Sequence, residues 1–138
     1  MITLRKSTDP PTISASEDDI NRAKKIVVAL IDTMVPTKER VSNYAARVDY
    51  FKSGIVDRSF IVSDQAKYEK RWPIRYYKLL SVDEIAVAPD RAFAIVRYTL
   101  EFHVSHKNEV RAGQSKAAIV IGSFNSIPRI HAIKEWLH

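Results

Sequence analysis

From Ala92 to Val104 the chain alternates between two faces, and this pattern constrains the fold more than any other stretch. Ala92, Ala94, Val96, Tyr98, Leu100, Phe102 and Val104 fall on one side. The other side opens apolar with Phe93 and Ile95, then turns polar with Arg97, Thr99, Glu101 and His103. Successive side chains of a strand point to opposite faces, so a period of two held this long specifies one extended strand.

Two neighbours complete a meander. "IRYYKLLSVDEIAVA" precedes it and is expected to bend or bulge near Ser81, with a turn at Pro89–Arg91. "VRAGQSKAAIVIGSF" returns after the turn at 106–109, and "RIHAIKEWLH" forms a last strand. The first half of the chain reads differently. Ile20, Ala23, Val27, Leu30 and Met34 recur at helical spacing. Ser14 with Glu17, or Ser16 with Asp19, forms the capping box, and Pro36 is expected to stop the helix. A short helix from Thr37, a strand in "RVDYFKSGIV" and a third helix from about Ser63 to Pro73 follow. Helices segregated from a run of antiparallel strands define an α+β domain. A curved sheet folded over a long N-terminal helix makes a cone with a pocket at its open end.

A chain of 138 residues is one domain by length. Residues 1–15 read as a flexible polar linker and 16–138 as the domain. There is no cysteine, which excludes disulfides, thiolate metal sites and a cysteine nucleophile. No run approaches the ~18 apolar residues of a membrane span. The N-terminus lacks the apolar core of a signal peptide and taken literally points to the cytoplasm. A formal net charge of +6 favours weak attraction to polyanions without naming a partner.

The order of elements resembles the NTF2-like superfamily, the cone fold of ketosteroid isomerases, scytalone dehydratases, SnoaL-type cyclases and many non-catalytic domains. Tyr44, Val48-Asp49-Tyr50-Phe51, Gly54, Asp64 and Arg71-Trp72-Pro73 are similar to a pattern in bacterial envelope and multidomain proteins of this kind. The resemblance implies the fold, a homodimer through the sheet face and an envelope location. It carries over no catalytic residue and no cofactor.

Asp49 poses the sharpest question. A carboxylate between Val48 and Tyr50 is either a general base on the inner surface of the cone or half of a structural pair with Arg47, Arg71 or Arg75. The co-occurrence of the Asp with Arg-Trp-Pro favours the pair. Tyr44, Asp49, Tyr50, Arg71, Trp72 and Tyr98 are the expected pocket residues. His103 and His106 fall on opposite faces of a strand, and no metal-binding spacing occurs. Residues 67–78 interleave basic and aromatic side chains, as nucleic-acid binders do, but Tyr68 and Trp72 share one helical face and read as core. Nucleic acid therefore ranks last. The expectation is a non-catalytic binding or assembly module, with a second protein or a small hydrophobic ligand as partner. Phe93, Ile95, Ile119 and Ile121 would lie in a dimer contact or under the helix. The rival is an isomerase, dehydratase or cyclase with Asp49 as base.

Overall fold

The computed structural model describes residues 12–137, the side chain of Leu137 excepted. Among them three helices pack on a seven-stranded sheet, the α+β arrangement expected. The strands are β1 (Ile13–Ser14), β2 (Tyr44–Tyr50), β3 (Ile55–Asp57), β4 (Ile74–Val87), β5 (Phe93–His106), β6 (Glu109–Gly122) and β7 (Arg129–Leu137). The helices are α1 (Glu17–Ile31), α2 (Thr37–Val41) and α3 (Arg58–Arg71). The sheet order is β1-β4-β5-β6-β7-β2-β3, antiparallel throughout except where β2 lies parallel to β7. No helix among the described residues is long and apolar enough to cross a membrane.

The α1 terminus follows from its sequence. Ser16 Oγ accepts from the Asp19 amide at 3.1 Å, and Asp19 Oδ2 accepts from the Ser16 amide at 2.8 Å. Of the two capping boxes open in the sequence, this one forms. The helix stops at Ile31, before Pro36, because Asp32 Oδ1 accepts from the Met34 amide and closes a local turn. Met34 is thereby thrown out of the apolar face and is 89% exposed. The other expected face residues behave as read: Ala23 and Val27 are fully buried, and Ile20 and Leu30 partly so.

The third helix begins at Arg58, earlier than the Ser63 start. Its N-cap is Asp57, whose carboxylate accepts from the Phe60 amide at 2.9 Å and from the Ser59 hydroxyl at 2.8 Å. Between β2 and β3 the chain turns at Gly54, where φ is +77° and a side chain would be strained.

The long strand is β5, and its alternation holds. Ala94, Val96, Tyr98, Leu100 and Val104 are buried on the face read as core. Val96 pairs with Ile119, which pairs with Ile133, so one inner row crosses three strands. Burying each such side chain contributes about 1.5–3 kcal/mol. Val27 and Ala23 of α1 join the same core. β4 breaks register between Leu79 and Ser81 and again between Val82 and Glu84, the bend expected near Ser81. These bulges curl the sheet around the helices. Of the segment read as a linker, residues 1–11 lie outside the described residues. Ile13 and Ser14 pair with Val87 and Ala86.

Candidate functional site

The curled sheet and the ends of α1, α2 and α3 enclose an open-ended cavity of about 590 Å³. Strand alternation supplies most of its wall. Tyr77 of β4, Tyr98 and Leu100 of β5, Ser115 of β6 and Ile133 and Glu135 of β7 all point inward. Tyr44 and Tyr50 enter from β2, and α3 contributes Asp64, Gln65, Lys67, Tyr68 and Glu69.

On the helical side Glu69, Arg40 and Arg75 are committed to one another. Glu69 Oε2 accepts from Thr37 Oγ1 at 2.6 Å and from Arg40 at 3.3 Å, and Arg75 stands 3.6 Å away. Burial alone would push the Glu69 carboxyl up, but the Thr37 and Arg40 hydrogen bonds and the two guanidinium charges outweigh it and hold it low. Arg40 also donates to Gln65 at 3.0 Å and to the Val35 carbonyl at 2.9 Å, tying the α1–α2 loop to α3. Tyr50 donates to Asp64 Oδ2 at 2.9 Å, and its ring meets that of Tyr44 edge-on at 6.2 Å.

On the sheet side the polar groups are less committed, Tyr98 and Glu135 among them. Tyr98 is buried and its hydroxyl has no hydrogen-bond partner among the described residues. Among those residues no side-chain oxygen or nitrogen is both sealed and unpartnered, so this hydroxyl opens onto the cavity. Glu135 accepts one long hydrogen bond from Ser115 Oγ, 3.3 Å, and forms no ion pair among the described residues. Solvent reaches it through the cavity mouth, yet protein crowds its carboxyl and burial raises its pKa. Burial likewise raises the phenols of Tyr44, Tyr50, Tyr77 and Tyr98, which keeps them as neutral donors at ordinary pH.

Tyr44, Tyr50 and Tyr98, expected in the pocket, line it. Asp49, Arg71 and Trp72 stand elsewhere. Val48 and Tyr50 are buried, so alternation turns Asp49 to the outer side of β2. There it pairs with Lys134 at 2.8 Å, both side chains being about two-fifths exposed, rather than with Arg47, Arg71 or Arg75. Lys134 also donates to the Phe51 carbonyl at 2.7 Å. A base at Asp49 would act outside the cavity. Arg71 lies on the surface at the end of α3, 2.7 Å from Glu109, and stacks 4.0 Å over Trp72. Trp72, with 6% of its surface exposed, packs beneath Arg71 and Arg111 and does not reach the cavity.

The basic-aromatic stretch divides. Arg75 and Tyr77 point inward while Tyr76 and Lys78 point out, so it offers no single stacking face. No group of three metal-ligating carboxylates or imidazoles occurs among the described residues. Phe93 and Ile95 lie half-buried on the outer sheet face, whereas Ile119 and Ile121 are wholly in the core. Glu135 escaped the sequence reading. Its signal was the alternation Ile133-Lys134-Glu135, which puts the carboxylate on the face of Ile133.

No family model matches the chain, and no curated protein sequence matches it. Solved structures do. A candidate dehydratase of the NTF2-like family from Streptomyces avermitilis superposes with a TM-score of 0.71 at 12% identity, over 88% of this chain and 97% of that one. A nuclear transport factor 2 (NTF2-like) superfamily protein from Salmonella enterica serovar Typhimurium gives 0.72 at 12% identity, over 89% and 93%. A candidate polyketide cyclase from Pseudomonas putida gives 0.59 at 8% identity, over 87% and 91%. The chain has the NTF2-like fold.

Proposed function

We propose that the protein binds a small, largely apolar molecule in the cavity, and that the ligand carries a polar group directed at Tyr98 and Glu135. The observation that carries this reading is the hydroxyl of buried Tyr98, which faces the cavity without a hydrogen-bond partner among the described residues. The hydroxyl opens onto the cavity, so a polar group of a ligand can supply the hydrogen bond that the protein does not. The volume falls in the roughly 300–1,000 Å³ range of small-molecule sites. Tyr98→Phe tests it. Calorimetric titration with acetophenone, an apolar carbonyl probe, should show saturable binding that weakens about three- to tenfold in the variant. Equal binding by both proteins, or none by the wild type, rejects the reading.

An enzymatic reading is favoured by one further observation, the raised carboxyl of Glu135 facing the same space. A carboxyl whose pKa burial raises, beside a neutral phenol, suits isomerase, dehydratase or cyclase chemistry, with Glu135 as the general base first assigned to Asp49. Turnover abolished by Glu135→Gln while acetophenone binding persists would support catalysis over binding alone.

The outer sheet face is the proposed homodimer surface. Phe93, Ile95 and the 49%-exposed Trp136 supply its apolar area. Sedimentation of Ile95→Lys against wild type decides this. A dimer that becomes a monomer supports it, and a wild-type monomer at all concentrations excludes it.

A further inference from the structure

Three carboxylates line the cavity, and their partners differ. Glu69 is shared by Arg40 and Arg75, and Asp64 accepts from Tyr50. Glu135 has, among the described residues, only the Ser115 hydroxyl. Resting on the ligand-binding reading above, we propose that the ligand is an amine. Its protonated nitrogen would sit against the Glu135 carboxylate, and its apolar body among the rings of Tyr44, Tyr77 and Tyr98.

The groups facing Glu135 argue for a cation. β6 contributes the Ser115 hydroxyl, β2 the Tyr44 phenol, β4 the Tyr77 phenol and Arg75, and β5 the Tyr98 phenol. From α3 come Asp64, Lys67 and Glu69, and from α2 comes Arg40. The two arginines already serve Glu69, and Lys67 is exposed on the α3 side. No cation of the wall stands close enough to offset the burial of Glu135, whose carboxyl is accordingly shifted toward its protonated form. A carboxylate at a solvent-reached cavity mouth, crowded by protein and without an ion-pair partner among the described residues, is a ready counter-ion for a ligand cation. Aromatic rings are favourable neighbours for such a cation, because their faces attract ammonium groups. The Tyr98 hydroxyl can accept a hydrogen bond from the same ammonium. An anionic ligand would meet Glu135 with like charge, and a neutral one would leave its charge unanswered.

The experiment is a calorimetric titration of the full chain with three probes of one shape and different charge: phenethylamine, phenethyl alcohol and phenylpropionate. At neutral pH the amine should bind about tenfold or more tightly than the alcohol, with phenylpropionate weakest. The amine advantage should fade as acid protonates Glu135. In Glu135→Gln it should disappear, while an unchanged circular-dichroism spectrum reports an intact fold. Alcohol binding as tight as the amine, or an amine affinity indifferent to Glu135→Gln, overturns the amine assignment and leaves the cavity reading standing. If none of the three binds the wild type, both fail together.

Discussion

Arg91 grips Asp19 with two guanidinium nitrogens, Nε to Oδ1 at 3.0 Å and Nη2 to Oδ2 at 3.1 Å, across 72 positions of sequence. The same carboxylate closes the capping box of α1 through Ser16. One side chain thus starts the helix and pins the β4–β5 turn beneath it. Asp19 is 3% exposed, and burial alone would raise its pKa. The Arg91 and Ser16 hydrogen bonds overcome that and hold it below the ordinary value.

Asp19→Ala should therefore destabilise the fold by about 3 kcal/mol, at the low end for a buried pair because Arg91 keeps partial solvent contact. A lowered folded pKa means that this stabilisation is complete above the unfolded value of 3.8 and is lost as pH falls through the folded one. Urea melts across the acid range should show the wild-type advantage over Asp19→Ala shrinking below about pH 4.

Arg91 itself has a φ of 59°, a left-handed conformation that suits glycine. Arg91→Ala loses the ion pair and keeps the strain, whereas Arg91→Gly loses the pair and relaxes. The glycine variant should be the more stable of the two by about 1 kcal/mol. Equal melting temperatures would show that the turn does not hold this backbone under strain.

Glu135→Gln should raise the melting temperature at neutral pH. The folded pKa of Glu135 is raised, so its contribution to stability is present below the unfolded value of 4.5 and is lost as pH climbs through the folded one. The amide removes the charge that burial penalises. Wild type and variant should converge in acid and separate above it, and a calorimetric scan at two pH values reads the difference. A variant less stable at neutral pH would mean that the carboxylate has a cation partner.

Asp49→Asn should cost about 0.5 kcal/mol, since its pair with Lys134 is substantially exposed. Lys134→Met should lose more, because the ammonium also caps the Phe51 carbonyl. Acetophenone binding should be unaffected by Asp49→Asn. A strong loss of binding would return Asp49 to the site despite its outward position.

Much of the cavity wall was legible in strand parity. Tyr44, Tyr50 and Tyr98 follow from short apolar alternations, and the same rule applied to Val48 and Tyr50 places Asp49 outside. The rule was equally available for Ile133 and Glu135. Arg71 and Trp72 were expected in the pocket, but the helix, capped at Asp57, ends at Arg71 in a surface stack over Trp72. A cap at Ser63–Asp64 is locally as plausible as one at Asp57, and only packing chooses.

The sequence by itself determined the long β5 strand, the bend near Ser81, the presence of a capped helix α1 and hence the α+β class. These depend on neighbours within a few residues, where sterics and hydrogen bonding are local. The tertiary structure alone decided which groups meet across the cavity. Lys134 reaches Asp49 because β7 lies parallel to β2 with Asp49 opposite Ala132, and Glu135 has no ion-pair partner among the described residues while Arg40 and Arg75 converge on Glu69. Pairing over such separations is set by how the curled sheet closes on the helices, and no local pattern encodes that geometry.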